Sequence, residues 1–313
     1  MIINSKKTIP LFLLIILIFL GKNIYAQEDL IQIDTNLVSV PVTVLDRQGR
    51  YVVDLKKENF KVFENGIEQE IDYFDLSNNE LTVFILLDRS GSMTNYMLEL
   101  TNASSAFVSQ LRPQDNLITA TFADDIDVIL KLTKVSEIKK GIKIRGNRTD
   151  RYTRLYDAVD YTLKKMKKIR GRKAVVVFSD GMGDGTFSSY KDNIEDAEES
   201  EVLIYTVQFD TSSKTPSSYV NKKKFYERIN EGNAYMQTLA EITGGKHYKI
   251  ENISNLKETF AQIASELGQQ YRLGYYPKNS GKKGERQEIK VKVNVPNVAV
   301  RARKSYIVGS DKN

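Results

Sequence analysis

Leu81-Thr82-Val83-Phe84-Ile85-Leu86-Leu87-Asp88-Arg89-Ser90-Gly91-Ser92-Met93 decides how this chain is read. An apolar run stops abruptly at one carboxylate, and two hydroxyls follow at alternate positions. The run has the length and apolar content of a strand buried on both faces. Open α/β sheets present ligand groups at the carboxyl ends of such strands. Asp88, Ser90 and Ser92 are hard oxygen donors, suited to Mg²⁺, Mn²⁺ or Ca²⁺. Taken alone, a short polar turn of this kind is more often a plain loop than a metal site. The remaining ligands must come from elsewhere in the chain.

Around this stretch, from Glu80 to about Gln269, strand-like and helical patterns alternate. Apolar runs at Val83–Leu87, Leu117–Phe122, Val128–Leu132, Ala174–Phe178, Leu203–Phe209 and Lys246–Ile250 read as strands. Tyr96–Leu111, Leu155–Ile169, Asn233–Thr243 and Leu256–Leu267 carry helical periodicity. The alternation predicts an α/β fold, a doubly wound and mostly parallel sheet with helices on both faces. Thr211–Arg228, rich in Ser, Lys and Thr, reads as a long loop.

The flanks read as β structure. Val38, Val40, Val42 and Val44 share one strand face, and Pro41 suggests a sheet edge because it cannot donate to a ladder. Asn65-Gly66 between two strand-like runs predicts a hairpin. After Tyr271, Ile289, Val291, Val293 and Val295 alternate with polar residues. Neither flank holds enough apolar residues for a core of its own. The expectation is that 27–78 and 270–313 pack together as a small β-sandwich, with 79–269 inserted between them.

Length and composition, 313 residues with 41% apolar and 27% charged, describe folded protein. The absence of cysteine excludes disulfides, thiolate metal sites and a Cys nucleophile. Lys6 and Lys7, then apolar Ile9–Leu20, then Ala26 follow the order of a secretory signal peptide. The apolar part is too short to span a bilayer comfortably. Cleavage is expected after Ala26, giving a secreted or periplasmic protein with no membrane span. Removing Lys6, Lys7 and Lys22 from the formal charge of +6 leaves +3, which does not point to nucleic acid. The lysines and arginines of 278–292 and 301–304 read as a solvated strand face, with acidic glycans as the alternative ligand. With His247 as the single histidine, no Gly-x-Ser-x-Gly elbow and no phosphate-binding loop, no enzymatic activity is expected. His247 reads as structural.

Two further stretches supply oxygen ligands. Asp150-Arg151-Tyr152-Thr153-Arg154-Leu155-Tyr156-Asp157-Ala158 places Thr153 in a polar loop before a helix. Phe178-Ser179-Asp180-Gly181 places Asp180 directly after an apolar strand. Loops that follow parallel strands lie along one sheet edge, so Asp88 and Asp180 converge if their strands are neighbours. The candidate ligands are Asp88, Ser90, Ser92, Thr153 and Asp180. Asp157 reads as a helix anchor and Asp184 as a loop residue. Asp124, Asp125 and Asp127 lack EF-hand spacing and read as a solvated turn. Arg89 reads as solvent-facing and, with Tyr152, as a contact for an acidic partner.

At these residues the sequence resembles the von Willebrand factor type A domain. The metal-ion-dependent adhesion site of that family combines Asp-x-Ser-x-Ser with a distant Thr and a later Asp. The resemblance covers about residues 80–269. Phe60-Lys61-Val62-Phe63-Glu64-Asn65-Gly66 and Tyr271-Arg272-Leu273-Gly274-Tyr275-Tyr276-Pro277 are similar to the flanks of secreted bacterial proteins with related domains. The resemblance implies direct coordination of Mg²⁺, or Mn²⁺ or Ca²⁺, by Ser90, Ser92 and Thr153. Asp88 and Asp180 would act largely through bound water. It further implies adhesion to a protein partner presenting Asp or Glu, with a shift of the Thr153 loop passed to the last helix, Leu256–Leu267. A cell-envelope scaffold in which the ion only rigidifies loops is the alternative.

Overall fold

The computed structural model describes residues 37–76, 79–139, 141–146, 152–183, 187–210, 222–279 and 281–309. The expected signal segment, Asp150, Asp184, the first half of the Thr211–Arg228 loop and the last four residues lie outside them.

β5 (Leu81–Asp88) is buried along all of its length. Its side chains alternate between two cores, as the period of a strand requires. Val83, Ile85 and Leu87 pack with α1 (Met97–Gln110) and α5 (Leu256–Leu267). Phe84 and Leu86 pack with α2 (Leu155–Lys167), α3 (Tyr190–Glu199) and α4 (Lys222–Thr243). The central sheet has the order β10-β9-β8-β5-β6-β7, from β6 (Asn116–Phe122), β7 (Ile126–Lys134), β8 (Arg172–Ser179), β9 (Leu203–Phe209) and β10 (His247–Ile250). All pairs are parallel except β6–β7. The chain runs from β5 to β6 on one side and returns to β8 on the other. The topological switch therefore falls at β5, where such sheets open a crevice at their carboxyl ends.

The flanking strands share two antiparallel sheets. β1 (Val38–Leu45), β4 (Tyr73–Leu76), β11 (Tyr271–Tyr275) and β13 (Ala299–Ala302) have the order β13-β1-β11-β4. β2 (Phe60–Glu64), β3 (Ile67–Gln69), β12 (Arg286–Val293) and β14 (Ser305–Ile307) have the order β14-β12-β2-β3. Each sheet takes strands from both ends of the chain. Their common core holds Val38, Val40, Val42, Val44, Phe60, Val62, Tyr271, Leu273, Tyr275 and Ile289.

Several expectations are corrected. β1 is an inner strand, not an edge; its ladder to β13 begins only at Val42, so Pro41 has β11 alone as a registered neighbour. The apolar run Val128–Leu132 lies in an exposed edge strand, with Val128, Ile129 and Leu132 open to solvent. α4 begins at Lys222, within the stretch read as a loop, and Phe225 and Ile229 bury its first turns. α3 has no counterpart in the periodicity because half of its residues are acidic and it buries Asn193, Ala197 and Glu198. Arg301 and Arg303 do not belong to a solvated face. Arg301 pairs with Glu266 of α5, and Arg303 donates to Glu198 O of α3 at 2.6 Å. No helix among the described residues is long and apolar enough to cross a membrane.

Candidate metal centre

Strand pairing brings the two carboxylates together. β5 lies beside β8 with Leu87 opposite Phe178, so Asp88 ends one strand where Ser179-Asp180 ends the next. Ser179 Oγ donates to Asp88 Oδ2 at 2.6 Å, and Ser90 N donates to Asp88 Oδ1 at 2.8 Å. Ser90 Oγ lies 3.2 Å from Ser92 Oγ. Ser92 Oγ donates to Asp180 Oδ2 at 2.7 Å, and Met182 N donates to Asp180 Oδ1 at 3.0 Å. Three of the five sequence-derived candidates, Ser90, Ser92 and Asp180, thus form one connected row of oxygens, and Asp88 joins it through Ser90 N.

Thr153 reaches the same edge through its backbone. Its carbonyl oxygen would lie 3.2 Å from a Cβ built on Gly183, three residues after Asp180. Among the described residues its side chain makes no hydrogen bond to the other four. Tyr152, beside it, is 60% exposed.

The Asp180 turn is held by tight packing from below. Gly181 has φ +81°, and a Cβ on Gly232 of α4 would lie 1.9 Å from Gly181 O. Only glycine at 232 permits this approach. Gln208 Nε2 donates to Asp180 O at 3.1 Å.

Asp88 and Asp180 are essentially inaccessible to water, at 0% and 1% exposure. Burial, and then the Asp180 charge, raise the Asp88 carboxyl above the ordinary carboxylate range. Burial raises Asp180 too, opposed by the bonds from Ser92 and Met182 N and by the charge of Arg228. Two adjacent buried carboxylates favour a bound cation, because it relieves both desolvation and mutual repulsion. The described residues contain no group of three or more His, Asp or Glu side chains placed to hold a metal ion. The donor set is two carboxylates with hydroxyls, and hard oxygens of this kind fit Mg²⁺, Mn²⁺ or Ca²⁺.

The model of the von Willebrand factor type A domain matches residues 82–262. The chain belongs to the von Willebrand factor type A domain family. No curated protein matches it. Among solved structures it is similar to the ArnB paralog VWA2 from Sulfolobus acidocaldarius, at 15% identity and TM-score 0.45, over 86% of this chain and 75% of that one. It is similar to the vWF domain of the type V pili tip protein Mfa5 from Porphyromonas gingivalis, at 10% identity and TM-score 0.43, over 59% of this chain and 94% of that one. The pilus adhesin SpaC from Lactobacillus rhamnosus GG matches at 8% identity and TM-score 0.45, over 82% of this chain and 43% of that one.

Within this type A domain the neighbours of the candidate ligands differ from their sequence reading. Arg89 does not face solvent. Its side chain is 11% exposed and pairs with Asp127 Oδ2 at 2.9 Å. The acidic turn is likewise not merely solvated, since Asp124 Oδ1 accepts from Tyr152 N at 2.6 Å. Asp157, in the first turn of α2, anchors the following loop by accepting from Phe187 N and Ser188 N at 3.0 and 2.9 Å. Phe187 stands 86% exposed. It lies in a polar stretch without periodicity, so sequence reasoning had no signal for it. His247 contacts Thr206 Oγ1 and Asn233 Oδ1 at 2.8 and 3.2 Å, away from the ligand row.

Proposed function

We propose that this chain is an exported, non-enzymatic protein-binding module whose recognition surface is the carboxyl edge of the six-stranded sheet. The connected row Asp180–Ser92–Ser90 beside buried Asp88 is the observation that carries this reading. Asp88, Ser90, Ser92, Thr153 and Asp180 would hold Mg²⁺, or Mn²⁺ or Ca²⁺. When bound, such an ion supplies positive charge and a coordination position open to an anionic oxygen. With neutral hydroxyls in direct contact and the two carboxylates acting largely through bound water, much of the ion's charge would stay uncompensated at its open position, and a carboxylate is favoured there over a neutral oxygen. The partner is therefore a protein presenting Asp or Glu. Exposed Tyr152 and Phe187 would offer it apolar contact area beside the charge. Export rests on the order of basic, apolar and small residues over 1–26.

The test is Mg²⁺-dependent thermal stabilisation and partner capture from envelope extract, with and without EDTA, in the wild type and in Asp88→Ala and Ser90→Ala. Stabilisation and capture should need both side chains and vanish in EDTA. A wild type indifferent to Mg²⁺ and EDTA sinks the reading. Turnover of ester, peptide or phosphate substrates would contradict the non-enzymatic part.

One observation favours a scaffold instead. Ser179, Ser92 and Met182 N already cross-link the carboxylates to both loops. In that case excess Asp- or Glu-containing peptide would leave the metal-bound state undisturbed, whereas the adhesion reading requires competition.

A further inference from the structure

The two ligand loops are tied to a third element that supplies no ligand. Residues 122–127, the end of β6, the turn after it and the start of β7, bond to the chain on both sides of Thr153 and to the residue between Asp88 and Ser90. Arg89 N donates to Phe122 O at 2.9 Å, and the Arg89 guanidinium pairs with Asp127 at 2.9 Å. Arg154 N donates to Ala123 O at 3.1 Å, and Tyr152 N donates to Asp124 Oδ1 at 2.6 Å. Ala123 N donates to Asp125 O at 3.0 Å, closing the turn on itself. Its position is set by the β6 ladder to β5, in which Phe122 stands opposite Asp88.

We infer that this turn sets the separation between the Asp88–Ser92 loop and the Thr153 loop, with Asp124 and Asp127 as positioning residues that determine cation affinity. The inference rests on the proposed metal-dependent function. Its physical basis is that the Thr153 loop is placed by backbone bonds and not by its hydroxyl. A hydroxyl ligand must sit within a few tenths of an ångström of its ideal place, and losing a group that orients a ligand typically costs about 10- to 100-fold in metal affinity. Arg89 acts in the same way on its own loop. Turned inward onto Asp127, it fixes the backbone between two ligands and does not offer a free cation at the rim.

The test uses the full chain as Asp124→Ala, Asp124→Asn and Asp127→Ala. Mg²⁺ affinity is measured by calorimetry. Melting temperature and hydrogen exchange of the Tyr152 amide are measured in EDTA. Asp124→Ala should weaken Mg²⁺ binding about 10-fold or more, speed exchange at Tyr152 and leave the metal-free melting temperature nearly unchanged. Asp124→Asn, which keeps an acceptor for Tyr152 N, should recover most of the affinity. Asp127→Ala should weaken binding in the same direction. Wild-type affinity in Asp124→Ala overturns the inference, as does an Asn variant no better than the Ala variant, or an affinity loss that merely follows lost metal-free stability. A wild type that never binds Mg²⁺ overturns the function reading itself. Unchanged affinity in the variant of a binding wild type overturns only the positioning role.

Discussion

Ser92 Oγ donates to Asp180 Oδ2 at 2.7 Å, across 88 residues of chain. This bond joins the loop after β5 to the loop after β8 at the point where the sheet changes direction. The same point concentrates two buried carboxylates, and their mutual cost makes the first prediction.

Asp88→Asn removes one of two adjacent buried charges and keeps an oxygen for Ser90 N, while its amide nitrogen turns the Ser179 hydroxyl from donor to acceptor. Metal-free stability should rise by about 1 kcal/mol, or about 2–4 °C in melting temperature. The Mg²⁺-dependent increment should be lost in the same variant. Scanning calorimetry in EDTA and in Mg²⁺ measures both, and a metal-free decrease contradicts the electrostatic account.

Gly232→Ala places a methyl 1.9 Å from Gly181 O, where helix α4 meets the Asp180 turn. The contact can be relieved only by moving one backbone away from the other. The expected cost is about 3 kcal/mol in denaturant unfolding, with a weaker Mg²⁺ response because Asp180 moves with its turn. An ordinary Ala substitution on the exposed side of α4, such as at Glu231, is the control.

Arg301→Ala leaves Glu266 buried without its cation, although Tyr205 and Thr43 still donate to it. Removing one partner of such a pair costs about 3–5 kcal/mol. The double variant Arg301→Ala with Glu266→Gln should lose less than the sum of the single losses, as read from urea midpoints.

Expressed alone, residues 79–269 should give a cooperative unfolding transition, and residues 27–78 should not. β1 pairs with β11 and β13, and β2 pairs with β12, so the shorter fragment lacks the neighbours of its strands. Circular dichroism and amide dispersion decide the matter. A stably folded 27–78 fragment would show that the sandwich does not need both ends of the chain.

Stability should also fall with acid through His247. Burial, and then the charge of Lys249, lower its pKa from 6.5 to about 4. The unfolded chain takes up a proton below pH 6.5 that the folded one refuses until about pH 4. The contribution is therefore complete above pH 6.5 and is lost progressively down to about pH 4. Because the ring is partly open to solvent, the loss is about 1–2 kcal/mol. His247→Gln should flatten this part of the stability profile.

The sequence by itself determined most of the order of elements and the oxygen-donor character of two strand ends. Continuous apolar runs ending in Asp88 and Asp180 read as buried strands with polar carboxyl ends, and the pairing of β5 with β8 then puts both ends in one crevice. The alternating valines of β1 likewise define an inward face without any tertiary information. Helix α3 escaped notice because helical periodicity is a pattern of apolar residues, and its buried face includes Asn193 and Glu198. Those polar groups are tolerated only because Tyr235, Tyr156 O, Arg286 and Ser305 meet them from distant parts of the chain.

Tertiary structure alone decided where the charged residues between the candidate ligands point. Arg89 looks solvent-facing in sequence because a long cation ordinarily stays in water. It turns inward because β7 folds back antiparallel on β6 and delivers Asp127 to it. In the same way Asp124 becomes the acceptor for Tyr152 N only once the turn and the Thr153 loop lie side by side. Spacing along a chain can name candidate oxygen donors and the strands that carry them. The bonds of Asp124 and Asp127 to partners 28 and 38 residues away depend on how β6 and β7 pair, and only the folded sheet supplies that.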